Sequence, residues 1–362
     1  MKVVHIHRIA SIGGSERHLL TLLPALAARG LDVSFVGLDL PGRRPEPFYA
    51  ELERLQIPFE RIPSPRDIAP RAAAGLRRVV SRLEPDLLHT HLVHADAYGA
   101  LAGGTTRIVS TKHNDDPFRA GSFRHVERAL TRRASRVICI TEALARFNRD
   151  VVGLPAEKLR VVRYGMDTPP PAWGSDPEVS LPPGARTLLA ASRLVPQKGL
   201  DVAVRALPTI CAAEPRAVLV ILAEGPEQEA LTGLARSLGV EDALRLPGHV
   251  GDVSSWFEQA ALFVHPARWE GFGLVLLEAM LAGKAVVASA VSAVPEIVVD
   301  EVTGLLVPPD DPDALARAVS ELLADPARAA TLGEAGRSRA HSNFSVGRMA
   351  EETVAVYEEA LS

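Results

Sequence analysis

Short apolar segments alternate with amphipathic helical runs along nearly the whole chain, and that rhythm admits few folds. In the first half, segments 3–6, 33–37, 87–90, 107–111, 136–140 and 159–162 read as strands, separated by helical runs at 16–28, 72–83, 95–102, 123–133 and 141–151. A second series starts at 187–191 and continues with 217–222, 243–246, 262–264, 285–288 and 304–307. Strands that are apolar throughout belong in parallel sheets covered by helices on both faces. The rhythm breaks once, where Pro169, Pro170, Pro171 and Pro177 are followed by Pro182, Pro183 and Gly184. Such a stretch sustains neither a helix interior nor a central strand. The expected organisation is α/β, with two doubly wound domains at 1–168 and 185–345, a linker at 169–184, and a last helix at 346–362 crossing back to the first domain. In such sheets ligands bind beyond the carboxyl ends of the strands, at the points where strand order reverses.

Length and composition agree with this division. A chain of 362 residues exceeds one typical domain. Apolar residues make up 47% and aromatics only 5%, a balance suited to an Ala/Leu/Val-rich α/β core. Cys139 and Cys211 both sit in apolar runs and read as small core residues, so no disulfide framework is implied and a reducing compartment is expected. The first residues run straight into a strand, leaving no room for a signal peptide, and no stretch of about 18 apolar residues occurs. A cytoplasmic protein is expected. Net charge is −4, but residues 1–168 carry 26 Lys/Arg against 18 Asp/Glu while the remainder carries 14 against 26. A basic first half favours an anionic partner, such as a phosphorylated substrate, an acidic glycan or a lipid surface.

The segment Glu270-Gly271-Phe272-Gly273-Leu274-Val275-Leu276-Leu277-Glu278 follows a strand, turns tightly at its glycines and enters a helix near Leu274. The helix start exposes unpaired N–H groups and the positive end of the dipole, which suits an anion. Two carboxylates beside it suit a ligand with hydroxyls as well; the bland alternative is a capped surface helix with two solvated acids. Ser192-Arg193-Leu194-Val195-Pro196-Gln197-Lys198-Gly199 ends the first strand of the second series and offers a planar guanidinium and a point charge, a pair suited to a diphosphate. Gly13 and Gly14 open the first helix after the first strand and allow close approach of a ligand. This is not Gly-x-Gly-x-x-Gly, so a nicotinamide fingerprint is absent.

Residues 266–289, with Val294-Pro295-Glu296 and Gly304-Leu305-Leu306-Val307-Pro308 downstream, resemble the donor-binding motif of the retaining family 4 glycosyltransferases (glycosyl transferases group 1). Gly13-Gly14-Ser15-Glu16, Ser192–Gly199 and Ala223-Glu224-Gly225-Pro226-Glu227 resemble further segments of that family, and the likeness spans nearly the whole chain. The resemblance implies the GT-B architecture, two Rossmann-like domains facing a cleft. It also implies transfer of a hexose or N-acetylhexosamine, from a UDP-sugar first and a GDP-sugar next, to a hydroxyl acceptor in bacterial glycan, glycolipid or glycosylated-metabolite synthesis. Under it Arg193 and Lys198 meet the departing diphosphate, aided by the Gly13 and Gly14 amides and the Gly271-Phe272-Gly273-Leu274 turn. Glu270 holds sugar hydroxyls, Glu278 ribose hydroxyls, and His113 contacts the donor sugar, while His91 and Glu16 line the acceptor pocket. No residue reads as a nucleophile, so front-face attack is expected, with the leaving phosphate taking the acceptor's proton. No cofactor or metal is required.

The chain departs from the family pattern at Ala223, Ala290, Ser292 and Ala293, where glycine or aspartate is usual, and at Tyr164, which replaces asparagine. Other readings stay open. A GT-B sugar-nucleotide epimerase would bind the same donor, as would a non-catalytic nucleotide-sugar-binding protein. A metal-dependent hydrolase would rest on His89, His91 and Asp116, since a His-x-His near acids has metal-ligand spacing. His89 and His94 also read as satisfied structural histidines. Asp311-Pro312-Asp313 spells the metal-binding Asp-x-Asp of another fold but reads better here as a helix cap. Arg119, Arg124, Arg128, Arg132, Arg133 and Arg136 surround a probable helix whose cationic face could touch an anionic membrane, the alternative being a solvated face. Exposed interleaved aromatics are missing, so nucleic acid is not expected.

Overall fold

The computed structural model describes residues 1–43, 45–65, 68–168 and 179–362. The Pro-rich linker is thus described only from 179 onward; its part at 169–178 lies outside the described residues. The chain divides into two compact units, Met1–Gly165 with Ser345–Ser362, and Met166–Phe344.

The first unit holds seven strands: β1 (Lys2–Ile9), β2 (Asp32–Asp39), β3 (Phe59–Pro63), β4 (Leu87–His91), β5 (Arg107–Lys112), β6 (Arg136–Cys139) and β7 (Leu159–Val161). They lie in the order β3-β2-β1-β4-β5-β6-β7, and every pairing is parallel. The second unit holds β8 (Arg186–Ala191), β9 (Ala217–Leu222), β10 (Leu244–Gly248), β11 (Leu262–His265), β12 (Val286–Ser289) and β13 (Gly304–Val307), ordered β10-β9-β8-β11-β12-β13 and again all parallel. Both sheets are doubly wound, as the strand–helix rhythm implies. Strand order reverses between β1 and β4 in one and between β8 and β11 in the other, so the loops after those four strands surround the two ligand crevices.

The structure adds elements that the residue pattern hides. β1 runs on through His5, His7 and Arg8, polar residues that break the apolar signature although His5 and His7 have no exposed surface. β3, with Glu60 and Arg61, is an edge strand, and the helix Glu46–Arg54 precedes it. The helix expected over 141–151 is α-helical at Glu142–Phe147 and continues as a π turn, Asn148–Val152. The C-terminal helix Val346–Leu361 buries Met349, Val356, Tyr357 and Ala360 in the same apolar cluster as Val3, Leu19 and Val109 of the first unit. Its Glu359 pairs with Arg136 and Arg160 on β6 and β7.

The basic stretch around the helix Phe123–Thr131 is not one solvated or membrane-facing surface. Arg119 is 2% exposed and gives its guanidinium to Glu127 and Asn148. Arg128 bonds the Val152 carbonyl and Arg136 pairs with Glu359, which leaves Arg124, Arg132 and Arg133 exposed beside the exposed Phe118 and Val126. Beneath the helix, Asp96, Lys112, Glu127 and Arg119 form an alternating row of buried charges, with Lys112 Nζ 2.6 Å from Asp96 and 3.2 Å from Glu127. Burial opposes the Lys112 charge, but the two carboxylates outweigh it and hold the ammonium above its ordinary range. Removing one member of a buried ionic group leaves its partners uncompensated and typically costs about 3–5 kcal/mol. Lys112→Met should therefore lower the unfolding free energy in urea by that order, whereas Arg124→Met, on the exposed face, should change it by under about 0.5 kcal/mol.

Candidate active site

In the second unit two loops are tied together beyond the carboxyl ends of β8 and β11. The Arg268 amide donates to the Gln197 carbonyl at 2.8 Å and the Gln197 amide to the Trp269 carbonyl at 3.1 Å. The Arg268 guanidinium reaches the Pro196 carbonyl, Asp201 and Asp310. Gly199 makes the close approach possible: its φ is +59°, and a Cβ there would lie 2.1 Å from the Pro266 carbonyl oxygen. The result delivers Lys198 Nζ to 2.6 Å from Glu270 Oε2, and His265, the last residue of β11, places Nε2 3.1 Å from the same oxygen.

Glu270 is 8% exposed. Burial alone would raise its pKa, but the Lys198 charge and the His265 hydrogen bond reverse the effect and hold it at about 2. It is therefore a carboxylate at neutral pH, with one oxygen engaged by two donors. The turn after it needs glycine at 273, where φ is +88° and a Cβ would crowd Leu276 Cδ1 at 2.9 Å and Glu270 Cγ at 3.2 Å. Gly273 caps the helix Leu274–Leu281, which carries the buried Glu278 in its second turn. The loop after β12 closes on the same place, with the Ala293 amide 3.3 Å from the Glu270 carbonyl. Arg193 is exposed and forms no ion pair among the described residues; Leu194 beside it exchanges backbone hydrogen bonds with Glu224 and Glu227. A Cβ at Gly225 would lie 2.4 Å from the Leu194 carbonyl, so this second pair of loops is also held by a glycine.

Two departures from the family pattern have visible backbone consequences. Ala223 adopts φ +141° and Ser292 φ +43°, conformations natural to the glycine each replaces. Asp311 caps its helix, its Oδ1 accepting from the Ala314 amide at 2.8 Å, as the residue pattern suggests.

The first unit places several sequence-derived candidates differently from expectation. Glu16 is buried, and its carboxylate accepts from the Gly13 amide and the Ser15 hydroxyl, each at 3.0 Å, and meets His7 Nε2 at 3.0 Å. Burial would raise its pKa, yet these bonds hold it below the ordinary range. The Gly13 N–H is thereby already engaged by Glu16. His91 has no exposed surface and both its ring nitrogens are taken, Nε2 by His5 and Nδ1 by His113, each at 3.0 Å. His113, 9% exposed, bonds His91 through Nε2 and the Tyr164 hydroxyl through Nδ1. His18 stacks on Tyr164 with centroids 4.2 Å apart, and its buried Nδ1 has no hydrogen-bond partner among the described residues. The hydrolase constellation is not assembled. Among the described residues the one group with metal-binding proximity is His5, His89 and His91, whereas Asp116 bonds the Asn114 amide.

Residue spacing gave no sign of His5, His18, His265, Tyr357 or Trp269. His5 and His265 are polar residues within buried strands, His18 and Tyr357 meet their partners only through helix packing, and Trp269 lies next to Glu270 but gives no sign of its buried ring nitrogen. Trp269 Nε1 and Glu227 Oε2 are buried without partners beside the Lys198–Glu270 loops or the Arg193 loop, and groups left so cost about 1–3 kcal/mol unless a ligand meets them.

Comparison with known proteins follows the division into units. Residues 12–169 match the family described as Glycosyltransferase Family 4 and residues 175–339 the family described as Glycosyl transferases group 1. The chain is 33% identical over 271 residues to a GDP-mannose-dependent alpha-(1-6)-phosphatidylinositol monomannoside mannosyltransferase of Mycolicibacterium smegmatis, covering 68% of each chain. It is 30% identical over 381 residues to a glycogen synthase of Mycobacterium tuberculosis, covering 96% of this chain and 91% of that one. The crystal structure of Anabaena Alr3699/HepE in complex with UDP and glucose superposes with a TM-score of 0.85 at 22% identity, over 99% of both chains, and shares the fold.

Burial is the first cause holding the His5 and His18 imidazoles near 3 and those of His89, His91 and His113 well below the usual range, with repulsion from neighbouring rings adding to it. A histidine with a depressed pKa favours the folded state fully above its unfolded value of about 6.5 and progressively less below it, because the unfolded chain then binds more protons. The melting temperature should accordingly be level above pH 7 and begin to fall near pH 6.5, well before ordinary carboxylates titrate. A melting temperature unchanged from pH 7 to pH 5 would contradict neutral, buried rings.

Proposed function

The chain belongs to the group 1, family 4 glycosyltransferases and has their GT-B fold, and we propose that it transfers a hexose or N-acetylhexosamine from a nucleoside-diphosphate sugar to a hydroxyl acceptor with retention of anomeric configuration. The observation that carries this reading is the Lys198–Glu270 pair at the switch point of the second sheet, beside the start of the helix Leu274–Leu281. A buried carboxylate held ionised accepts hydrogen bonds from sugar hydroxyls, and its free oxygen is available to do so. Lys198 and the exposed Arg193 supply positive charge where a diphosphate leaves, and the helix start adds amide donors. Glu278, one turn into that helix, is assigned to the ribose hydroxyls. With one oxygen of Glu270 already held by Lys198 and His265, the carboxylate is a poor nucleophile, which favours front-face attack with the leaving phosphate accepting the acceptor's proton. No metal or other cofactor is assigned a step.

In the first unit His113 is assigned to the donor sugar. Tyr164 already occupies its Nδ1, so a sugar hydroxyl must share or displace that phenol. A UDP-sugar is the favoured donor, supported by the fold shared with a protein solved with UDP and glucose; a GDP-sugar is second, supported by the mannosyltransferase relative. A GT-B epimerase would need the same donor contacts and no acceptor, and product analysis separates the two. The acceptor is assigned to bacterial glycan, glycolipid or glycosylated-metabolite synthesis. Arg124, Arg132 and Arg133 with Phe118 and Val126 form a cationic and apolar face suited to peripheral contact with an anionic membrane. No helix among the described residues is long and apolar enough to cross one.

Lys198→Ala and Glu270→Ala should each reduce transfer at least tenfold while leaving a cooperative unfolding transition, because losing one preorganised contact to a developing charge costs about 2.7–4 kcal/mol. Near-normal turnover in both variants would remove these residues from the site. The membrane face predicts co-sedimentation with vesicles containing anionic lipid, abolished in Arg124→Glu/Arg132→Glu; equal partitioning of both proteins would argue against it.

A further inference from the structure

His113 is the end of a longer structure. From the C-terminal helix to the loop after β5, seven buried side chains meet in an unbranched row of side-chain hydrogen bonds: Thr111, His89, Tyr357, His5, His91, His113 and Tyr164. Thr111 Oγ1 lies 2.6 Å from His89 Nε2, and His89 Nδ1 lies 2.6 Å from the Tyr357 hydroxyl. Tyr357 also reaches His5 Nε2 at 3.3 Å. His5 Nδ1 meets His91 Nε2, His91 Nδ1 meets His113 Nε2, and His113 Nδ1 meets Tyr164. The parallel register sets His5 opposite His89, and none of the seven is more than 9% exposed.

A neutral imidazole has one donor and one acceptor nitrogen, and a hydroxyl donates one proton. In an unbranched row, every link must therefore run in the same sense unless the Tyr357 hydroxyl accepts from both of its neighbours and leaves its own proton unused. Following the atoms leaves two states in which every proton in the row has an acceptor; a third, in which Tyr357 accepts from both His89 and His5, strands its own buried proton and bears the cost of that unmade hydrogen bond. In one of the two, Tyr164 donates to His113, and His113, His91, His5 and His89 all carry their proton on Nε2, with Thr111 accepting at the far end. In the other, Thr111 donates and all four rings carry it on Nδ1. A phenol is a better donor to imidazole than an alcohol, which favours the first. Hydrogen bonds arranged head to tail also polarise and strengthen one another.

We propose that this row is a tautomer relay in which Tyr357 of the C-terminal helix acts as a positioning residue for His113, setting whether its Nδ1 is offered to a ligand as an acceptor or as a donor. The relay rests on the assignment of His113 to the donor sugar for its functional meaning, but its existence does not. Tyr357 is the one member whose single hydroxyl joins two imidazoles on separate strands, His5 on β1 and His89 on β4. Its loss cuts the row, leaves His5 Nε2 without its partner and removes the continuity that holds His5, His91 and His113 to one sense. No proton is consumed or released by the relay; it orients N–H groups.

The test uses the full-length protein labelled with ¹⁵N-histidine and reads ring-nitrogen shifts, which distinguish the two tautomers. In the wild type the four rings should share one tautomer, Nε2–H. Tyr357→Phe should keep the fold and shift His113 towards a mixture of tautomers, with kcat/KM for transfer reduced about fivefold or more. Val356→Ala, which thins the same helix without touching the row, should lower the melting temperature and leave the four ring signatures as in the wild type. A wild-type protein with mixed tautomers among the four rings overturns the relay, as does a Tyr357→Phe protein with an unchanged His113. The same ring changes in Val356→Ala would make the effect a loss of packing. Stoichiometric zinc in the purified protein would also overturn it, since His5, His89 and His91 would then be ligands. If the tautomers behave as described but transfer is unaffected, the relay stands and the sugar assignment of His113 falls.

Discussion

The Lys198–Glu270 ion pair is the interaction on which the second unit's site depends. Neither loop would hold its charged residue in place alone: Lys198 ends a 3₁₀ turn, and Glu270 precedes a glycine-rich reversal. They meet because Gly199 lets its loop press against Pro266, and because Arg268 and Gln197 tie the two loops by backbone and side-chain bonds. The pair is partly shielded from water and shares His265, so removing either charge leaves the other in a low-polarity setting. Such a site is built before any ligand arrives, which is the condition under which fixed charges stabilise a departing diphosphate without reorganising.

The first unit solves a different electrostatic problem. It buries both ionised and neutral titratable groups side by side. Asp96, Lys112, Glu127 and Arg119 balance one another, whereas His5, His89, His91 and His113 remain uncharged and are satisfied by one another and by Tyr357, Tyr164 and Thr111. Leu92, immediately after His91, sits at φ +66°, an unusual backbone for leucine at the point where β4 turns into its helix. The His91 carbonyl is thereby fixed as an acceptor for His7 Nδ1 at 3.1 Å. Strain concentrated beside a polar core is a frequent mark of a functional region.

Much of this was legible in the residues and some was not, for physical reasons. Parallel strands buried on both faces announce themselves as apolar runs, so β9, β11 and β12 stand out. β1 past Ile6 and the edge strand β3 do not, because polar side chains interrupt the first and solvent faces the second. Lys198, Glu270 and Glu278 were visible because local turn chemistry and helix starts place them. The relay was not, since His5 and Tyr357 stand 352 residues apart and meet only through sheet register and the packing of the last helix. Glu16 and the Gly13 amide looked available to a ligand because a capping interaction cannot be told from an open loop by spacing alone.

The most direct test of the central claim is thermal denaturation of the protein with a panel of UDP-, GDP-, ADP- and TDP-sugars, with and without magnesium. A stabilising shift with one nucleotide, unchanged by magnesium and absent in Lys198→Ala, is the predicted result and names the donor. No shift with any nucleotide sugar, together with one produced by zinc or manganese alone, would contradict it.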